Sequence, residues 1–403
     1  MSDSPTPHAA LVTAISPGRM AVVGAFLIAL GPISMNLYTP ALTRLAVELA
    51  TTDAVIKASV SAYLFGFALA QLVCGPLSDR FGRRPVLIGC LCLYLVGAAL
   101  GAAAQTGAVL LGARLVQGIG ACASVALSRV MVTDQFEGDR AARIISLMSM
   151  ILSLAPAAAP LLGGALVAHA SWRLVFLAMA GYALALLVVA WQLPETHRAP
   201  DPHAIRPRRV LANYSFLMTS PPFLGDVLLS ALMVGGYYTV AAVAPFVLMG
   251  RIGLSPTQFG ALSGCYMGAY FAGALTTNRL LRYVSAARLI RLGLVLVAGG
   301  ASALSLDLLL QGATTLGVVV STCVWVFGMA FIVPGLTMSA LRRFPKMAGA
   351  ASAAMGFLQM AAGFAGSALV TVFPDNVLAM AVVPPALALL GIAAYLIGSR
   401  RAA

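Results

Sequence analysis

Charged residues are scarce in this sequence. Asp, Glu, Lys and Arg together make up 9% of its 403 residues, and hydrophobic residues make up 61%. Soluble domains carry roughly 25% charged residues, because their surfaces must be solvated by water. This scarcity excludes an ordinary soluble domain and indicates a chain that is solvated by lipid.

Residues that carry catalytic or metal chemistry are also few. The chain has 12 acidic residues, four histidines and six cysteines. The cysteines lie in apolar runs without metal-ligand or CxxC spacing, so we assign them to packing. An enzyme would need a cluster of acids, histidines or ligands within the spans, and only the isolated Asp226 and His169 approach this. No repeated filter sequence indicates a channel. We therefore expect no enzyme, no metal and no cofactor.

Long apolar runs are abundant. A bilayer core takes about 20 apolar residues per helix, and helices satisfy every backbone group in lipid, whereas outer-membrane barrels show alternating patterns. The runs predict an all-α membrane protein of twelve transmembrane helices in two six-helix bundles. We predict bundles at 1–193 and 222–403 and a cytoplasmic linker at 194–221. The spans are predicted at 20–42, 54–78, 85–104, 108–132, 141–168, 172–193, 222–250, 256–278, 288–309, 312–341, 348–372 and 376–398.

Basic residues predict the orientation, because Lys and Arg collect on the cytoplasmic side of short loops. With a cytoplasmic N-terminus, 20 of the 25 basic residues fall on that side. The outer side receives Arg44, Lys57, Arg173 and Arg251, and Arg114 lies within a span. Both termini and the linker should therefore be cytoplasmic. This topology accounts for the net charge of +13 without a nucleic-acid partner.

The loop after the second span carries a distinctive run. It reads Gly75-Pro-Leu-Ser-Asp79-Arg80-Phe-Gly82-Arg83-Arg84-Pro. Gly75 permits close helix approach, Asp79 can face an arginine or a helix N-terminus, and Gly82 permits a tight turn. The run resembles the signature loop of the major facilitator superfamily.

Further matches, in the same order along the chain, resemble the Bcr/CflA-type drug-resistance exporters of that superfamily. They include Tyr38-Thr-Pro-Ala, Arg114-Leu-Val-Gln117-Gly, Trp172-Arg173 and Leu193-Pro-Glu-Thr. The resemblance implies alternating access and proton-coupled export of small amphiphilic compounds. We expect a monomer in the bacterial cytoplasmic membrane. It assigns gating roles to Gly75, Asp79, Arg80, Gly82, Arg83, Arg84, Arg129, Asp134, Pro160, Gly163 and Gly164.

The fifth span carries Pro160, Gly163 and Gly164, with Ala155 and Ala159 where the family commonly has glycine. Prolines and small residues kink a helix and permit close packing in lipid. A kinked structural helix and a gating helix both fit this pattern.

Arg114 is placed within a span, where a guanidinium costs roughly 3 kcal/mol on insertion scales. It should therefore face a wet cavity or the bundle interior and have a partner. Gln117, Gly118, Ala121 and Val125 follow at helical spacing. We interpret this face as a cavity wall; a buried arginine bonded to backbone carbonyls is the alternative.

Asn36 departs from the family, whose first helix commonly carries an aspartate two residues before the tyrosine, here Tyr38. An amide cannot exchange a proton at physiological pH, so the usual proton site is missing. Asp226 is the best replacement, although an interfacial carboxylate that helps to start a helix fits equally well.

The second half places several aromatic or amide side chains near mid-membrane. Aromatic faces suit amphiphilic ligands, but such residues are more often packing. The candidates are Tyr237, Tyr238, Tyr266, Tyr270, Trp325 and Gln359.

The predicted function is export of a small amphiphilic molecule, driven by the proton gradient. With Arg114 and Asn36 in the first bundle, the substrate is predicted to be neutral or anionic. An importer or facilitator of a small metabolite with the same fold, and an exporter of an acidic siderophore-type metabolite, remain alternatives.

Overall fold

The first half of the chain folds into a bundle of long helices. The structure is a computed structural model that describes residues 15–197, 200–344 and 347–402. The helices of this half are α1 (Pro17–Tyr38), α2 (Leu42–Glu48), α3 (Asp53–Phe81), α4 (Arg83–Ala102), α5 (Gly107–Gln135), α6 (Gly138–His169) and α7 (Trp172–Gln192). A short 3-10 turn, Thr39–Ala41, joins α1 to α2, so the two form one continuous span.

The second half repeats this arrangement after a linker helix. The linker contains α8 (Pro207–Met218), and the bundle contains α9 (Pro221–Pro245), α10 (Pro256–Leu280), α11 (Ala286–Gln311), α12 (Thr315–Arg343), α13 (Ala348–Leu369) and α14 (Asn376–Ala402). A π-helical turn, Phe246–Arg251, extends α9. The described residues contain no β-strand. The predicted all-α fold with twelve long helices is thus confirmed.

Ten of these helices, within the described part of the chain, are long and apolar enough to cross a membrane. The other two long helices are α6 and α10. The described side chains at the outer end of α6 form a shorter apolar segment, Ala158–His169. The sequence of α10 carries Gln258, Thr276, Thr277 and Asn278, which lower its hydropathy. The helix α10, which carries these polar residues, packs against α6 of the first bundle.

Local sequence signals define where the helices begin. The Thr52 side chain accepts a hydrogen bond from the Val55 backbone at the start of α3, and Thr106 does the same for Val109 in α5. Ser255 and Gln258 form a reciprocal capping box before α10. These side chains satisfy backbone N–H groups that a helix leaves unpaired in its first turn.

Buried apolar side chains form two large clusters. One is built from residues between Ile15 and Leu193, together with Ala242 and Phe246, and the other lies between Leu229 and Ala388. A smaller cluster joins α8 to the nearby parts of α9, α12 and α13. The linker helix is thereby packed against the second bundle.

The two bundles meet along two helix pairs, α3 with α13 and α6 with α10. We call the end with connections 49–52, 103–106, 170–171, 252–255, 312–314 and 370–375 the outer end, following the orientation that the basic residues predict. The opposite end, which carries the linker, is the inner end. Among described residues, cross-bundle side-chain hydrogen bonds at the outer end and centre join α3 to α13 and α14, and α1 to α9.

Candidate functional site

Asn36 lies at the contact between the bundles. Its side-chain amide donates to the Pro32 carbonyl at 2.8 Å, and its amide oxygen accepts from the Tyr237 hydroxyl at 3.4 Å. Tyr237 stands beside Tyr238, with 5.8 Å between their ring centroids. Tyr238 in turn packs against the core of the first bundle. The departure from the family's aspartate therefore places a neutral amide where α1 meets α9.

Arg114 lies between two tyrosine rings. Its guanidinium carbon is 4.2 Å from the Tyr38 ring centroid and 4.3 Å from that of Tyr63. It donates to the Gln117 side-chain oxygen at 2.7 Å and to the Met35 sulfur at 3.6 Å, while its Nε has no hydrogen-bond partner among the described residues. Aromatic faces carry negative charge density that stabilises a cation in a dry site.

The structure encloses this arginine instead of placing it on an open wall. The exposed fraction of Arg114 and of Gln117 is 0%. A Cβ on Gly118 would overlap the Tyr63 carbonyl oxygen, so this face of α5 packs against α3. The interpretation of the face as a cavity wall is wrong for this conformation, because aromatic stacking replaces solvent around the guanidinium.

Hydroxyl groups anchor the tyrosines around Arg114. The hydroxyls of Tyr38 and Ser59 are hydrogen-bonded at 2.6 Å, and Tyr63 donates to the Gly31 carbonyl at 3.2 Å. Tyr94 is hydrogen-bonded to Ser34. The rings on both sides of the guanidinium are thereby fixed in place.

Several candidates of the second bundle lie in its interior. Tyr266 is 4% exposed and Trp325 is 1% exposed, and the Trp325 Nε1 has no hydrogen-bond partner among the described residues. The Tyr266 hydroxyl lies beside the buried hydroxyl of Thr322, one turn before Trp325, and sequence reasoning missed Thr322. The Gln359 amide donates to Ser230 at 2.8 Å. Tyr270 is half-buried on α10.

Asp226 is bound within the second bundle. Its carboxylate accepts from the Ser339 hydroxyl at 2.6 Å and lies 3.7 Å from the Arg343 Nε. Both partners belong to the inner part of α12. The structure does not bring Asp226 together with Asn36 or Arg114.

The signature loop forms an ion-pair network at the inner end. Arg83 is 7% exposed; it pairs with Asp79 and donates to Asp134 at 3.1 Å and to Ser78 at 2.6 Å. Asp134 lies on α5, so Arg83 ties the α3–α4 loop to α5. Every one of these partners belongs to the first bundle.

Glu195 closes the same network and was not singled out by sequence reasoning. Its carboxylate accepts from the backbone N–H of Arg83 at 2.9 Å and of Arg84 at 3.1 Å. These are the first N–H groups of α4, where an anion is favoured. Gly82 has φ +97°, and a Cβ there would lie 2.5 Å from the Glu195 carboxylate. The sequence signal that could have identified Glu195 is the Leu-Pro-Glu-Thr run at the start of the linker.

The remaining loop residues make fewer contacts. Arg84 donates to the Trp191 carbonyl at 2.6 Å, and Arg80 lies over the Phe81 ring with its guanidinium carbon 5.1 Å from the centroid. A Cβ on Gly75 would meet no atom of the described residues within 4 Å, so the expectation that Gly75 permits a close helix approach is wrong for this conformation. Arg129, in the inner part of α5, is exposed.

The linker continues from this network. The Asp201 N–H donates to the Asp79 carbonyl at 2.9 Å, and the Tyr214 hydroxyl of α8 donates to the Leu72 carbonyl at 2.9 Å. The His203 backbone N–H, assisted by the Arg209 guanidinium, lowers the pKa of the Asp201 carboxyl below its ordinary value. The linker thus contacts the inner end of α3.

Pro160 and Gly164 of α6 meet Pro256 and Gly260 of α10 in a reciprocal arrangement. A Cβ on Gly164 would overlap the Pro256 carbonyl oxygen, and a Cβ on Gly260 would overlap that of Pro160. Gly163 faces the Leu37 carbonyl of α1 in the same way. The glycines therefore permit backbone contact across the bundles, and sequence reasoning missed Gly260 although Pro-x-x-x-Gly occurs in both halves.

Metal ligands do not cluster in the described part of the chain. No group of three or more His, Cys, Asp or Glu side chains there is placed to hold a metal ion. The cysteines that it contains are free thiols.

Comparison with known proteins connects this architecture to one family. A family model described as Major Facilitator Superfamily matches residues 24–367. The Haemophilus influenzae protein named "Bicyclomycin resistance protein homolog" is 26% identical over 376 residues, 91% of this chain and 92% of that protein. "Multidrug resistance protein MdtL" of Escherichia coli O45:K1 is 27% identical over 350 residues, 85% of each chain.

A solved structure shows the same fold. The xylose transporter XylE from E. coli, in an inward open conformation, has a TM-score of 0.73 and 15% sequence identity, and the alignment covers 94% of this chain and 96% of XylE. At this identity the similarity concerns the arrangement of helices alone.

Proposed function

The chain belongs to the major facilitator superfamily, and from this premise we propose that it exports a small amphiphilic molecule across the bacterial cytoplasmic membrane. The substrate is neutral or anionic, and the proton gradient drives export by alternating access. The protein acts as a monomer with both termini in the cytoplasm. Membership makes it a membrane transporter and not an enzyme.

The direction of transport and the substrate class rest on the relatives. Two proteins that align over 85% or more of this chain are named for resistance to bicyclomycin and to multiple drugs. Export removes a toxic compound from the cell, so resistance is the expected consequence of outward transport. At an identity of 26–27% this chain and its relatives can transport different individual substrates, because substrate-binding residues change while the fold is kept.

The Asn36–Tyr237 contact carries the proposal on substrate charge. This contact joins the bundles through an amide and a phenol, both neutral. Asp226 is bound to Ser339 and Arg343, and the guanidinium of Arg114 is enclosed by tyrosine rings. A cationic compound at this contact would lose its hydration without meeting a carboxylate, which costs several kcal/mol for a buried charge. Neutral, hydrogen-bonding compounds avoid this cost, whereas an anionic compound offsets it only in a conformation that exposes the enclosed guanidinium of Arg114.

Efflux into everted membrane vesicles tests the proposal. Vesicles with the protein and vesicles from the same strain without it are given a neutral antibiotic, an anionic amphiphile and a quaternary ammonium compound. We expect protein-dependent accumulation of the neutral or anionic compound, and loss of accumulation when an ionophore collapses the pH gradient. Preference for the quaternary ammonium compound would contradict the charge assignment.

The same assay tests the direction of transport and its coupling to protons separately. Accumulation that survives collapse of the pH gradient would remove proton coupling while leaving export intact. Accumulation in right-side-out vesicles, with none in everted ones, would instead establish the importer alternative.

A further inference from the structure

Lys57 is a buried cation at the outer end that no motif of the family accounts for. It lies on α3 and is 2% exposed, although lysine is almost never fully buried without a partner. Its ammonium donates to the Val370 carbonyl at 3.1 Å and to the Asn376 side-chain oxygen at 2.9 Å. Both acceptors belong to the second bundle, so the charge of one bundle is bound by the other.

The acceptors form a site that suits an ammonium ion. Val370 is the C-cap of α13, where helix carbonyls lack backbone partners and carry partial negative charge. The ring centroid of Phe246, also in the second bundle, lies 5.9 Å from the Lys57 Nζ. A cation is therefore favoured at this corner between α13 and α14.

Asn376 binds two oppositely charged residues of α3. Its amide oxygen accepts from Lys57, and its amide nitrogen donates to the Asp53 carboxylate at 3.0 Å. Asp53 lies one helical turn before Lys57, so one amide spans both charges. One turn further inward, the hydroxyls of Ser61 and Ser367 are hydrogen-bonded across the same helix pair at 2.7 Å.

We propose that Lys57, held by Val370 and Asn376, is the latch that keeps the outer end of the transporter closed. When the bundles separate there, α3 leaves α13 and α14, and the ammonium and its acceptors return to water. A buried charge that loses one partner destabilises the closed arrangement strongly, whereas a water-exposed one does not. Asn376 therefore acts through Lys57, as a positioning residue for the latch. The inference rests on the alternating-access part of the proposed function.

Thiol labelling from outside the cell tests the latch without a substrate. In a chain whose native cysteines are replaced, Ser61→Cys reports opening, because Ser61 is 4% exposed in the closed end. The probe is a membrane-impermeant maleimide. We expect Asn376→Leu to raise the labelling rate about tenfold or more, because it removes one of the two hydrogen-bond acceptors that hold the buried Lys57 ammonium.

The double variant Lys57→Met with Asn376→Leu separates the latch from a general loss of packing. The latch is already lost in Asn376→Leu and in Lys57→Met, so the double variant should label no faster than the faster single variant. Equal labelling of the parent and Asn376→Leu, or a double variant that multiplies the effects of the two single variants, would overturn the proposal. Efflux is measured separately, so a protein that exports nothing can still pass or fail this test.

Two controls complete the experiment. Arg251→Met removes a charge at the same end, but Arg251 is 57% exposed and pairs with Asp375 of its own bundle, so labelling should not change. An increase equal to that of Asn376→Leu would also overturn the latch. A cysteine at Val47, which is 79% exposed, should label equally in all variants and reports insertion.

If Asn376→Leu does not insert, Lys57→Met alone carries the test. Faster labelling is expected, and an unchanged rate would contradict the latch.

Discussion

Arg114 carries a positive charge inside the first bundle with no carboxylate within ion-pair distance among the described residues. Two aromatic faces, one amide oxygen and a sulfur take the place of a counter-ion. Removing a guanidinium from water costs free energy, but the cost is lower than for an ammonium, because the charge of the planar guanidinium is delocalised and more weakly hydrated. Stacking between two rings also requires that planarity.

Arg114→Lys should therefore lose most transport, nearly as much as Arg114→Ala. An ammonium cannot stack on both rings and reach Gln117 at once, and alanine leaves a cavity that costs on the order of 2–5 kcal/mol. Efflux and the thermal stability of the purified protein measure the two effects. Arg282→Ala, at an exposed arginine, is the control. Full efflux by the alanine variant would show that the charge is dispensable.

Asp226→Asn tests whether the second bundle supplies a proton site. The carboxylate is bound to Ser339 and Arg343, and an amide can still accept from Ser339, so we expect efflux to fall by less than about tenfold. The pH dependence of efflux should not change. Loss of the response to the pH gradient, with normal protein levels, would identify Asp226 as the proton carrier.

At the scale of helices, α6 and α10 meet through two glycines and two prolyl carbonyls. Backbone contact of this kind needs the absence of a side chain on both helices. Of the two interpretations of the fifth span, a direct contact with the other bundle favours the gating helix, which stays a prediction until transport is measured. The kink interpretation rests partly on the same Pro160, Gly163 and Gly164 and stays a prediction as well.

Gly260→Ala should impair transport because its methyl group would overlap the Pro160 carbonyl oxygen. Overpacking costs about 1–3 kcal/mol, and the cost applies to the conformation in which α6 and α10 touch. We expect the efflux rate to fall by about tenfold. Gly268→Ala, on the same helix with no atom within 4 Å of the new methyl group, should be normal. Equal rates in the two variants would refute a role for the close contact.

Gly82→Leu tests the inner loop. The residue requires φ +97°, and a side chain would displace the Glu195 carboxylate from the first N–H groups of α4. Loss of a helix cap costs about 1 kcal/mol, so the protein should still insert, while efflux falls by about tenfold or more. Gly75→Ala, with open space around it, serves as the control. Normal efflux by Gly82→Leu would exclude a role for the loop in cycling.

At the scale of the whole molecule, topology can be tested by reporter fusions. A fusion after Asp201 in the linker should be active only as a cytoplasmic reporter, and one after Ala170, between α6 and α7, only as a periplasmic reporter. The physical reason is the retention of Lys- and Arg-rich segments on the cytoplasmic side. The reverse pattern would invert the assignment of inner and outer ends.

The helices themselves could be predicted from the amino-acid sequence alone. Long apolar runs allow no other structure in lipid, because helices pair their own backbone groups, so all twelve spans and their order could be predicted. The inner loop could be predicted too, because Asp79, Gly82 and Arg83 lie within five residues and interact locally.

Contacts between residues that are distant in the sequence became known only from the folded arrangement of the helices. The enclosure of Arg114 depends on Tyr38 and Tyr63 from two other helices, and the site of Lys57 depends on residues more than 300 positions away. Hydropathy and spacing identify membrane depth and helix face but carry no information on which face of which helix is opposite. That pairing is set by side-chain shape and by close glycine contacts summed over the whole interface, which is why an arginine predicted to line a cavity is packed and a lysine assigned only to a loop side joins the two bundles.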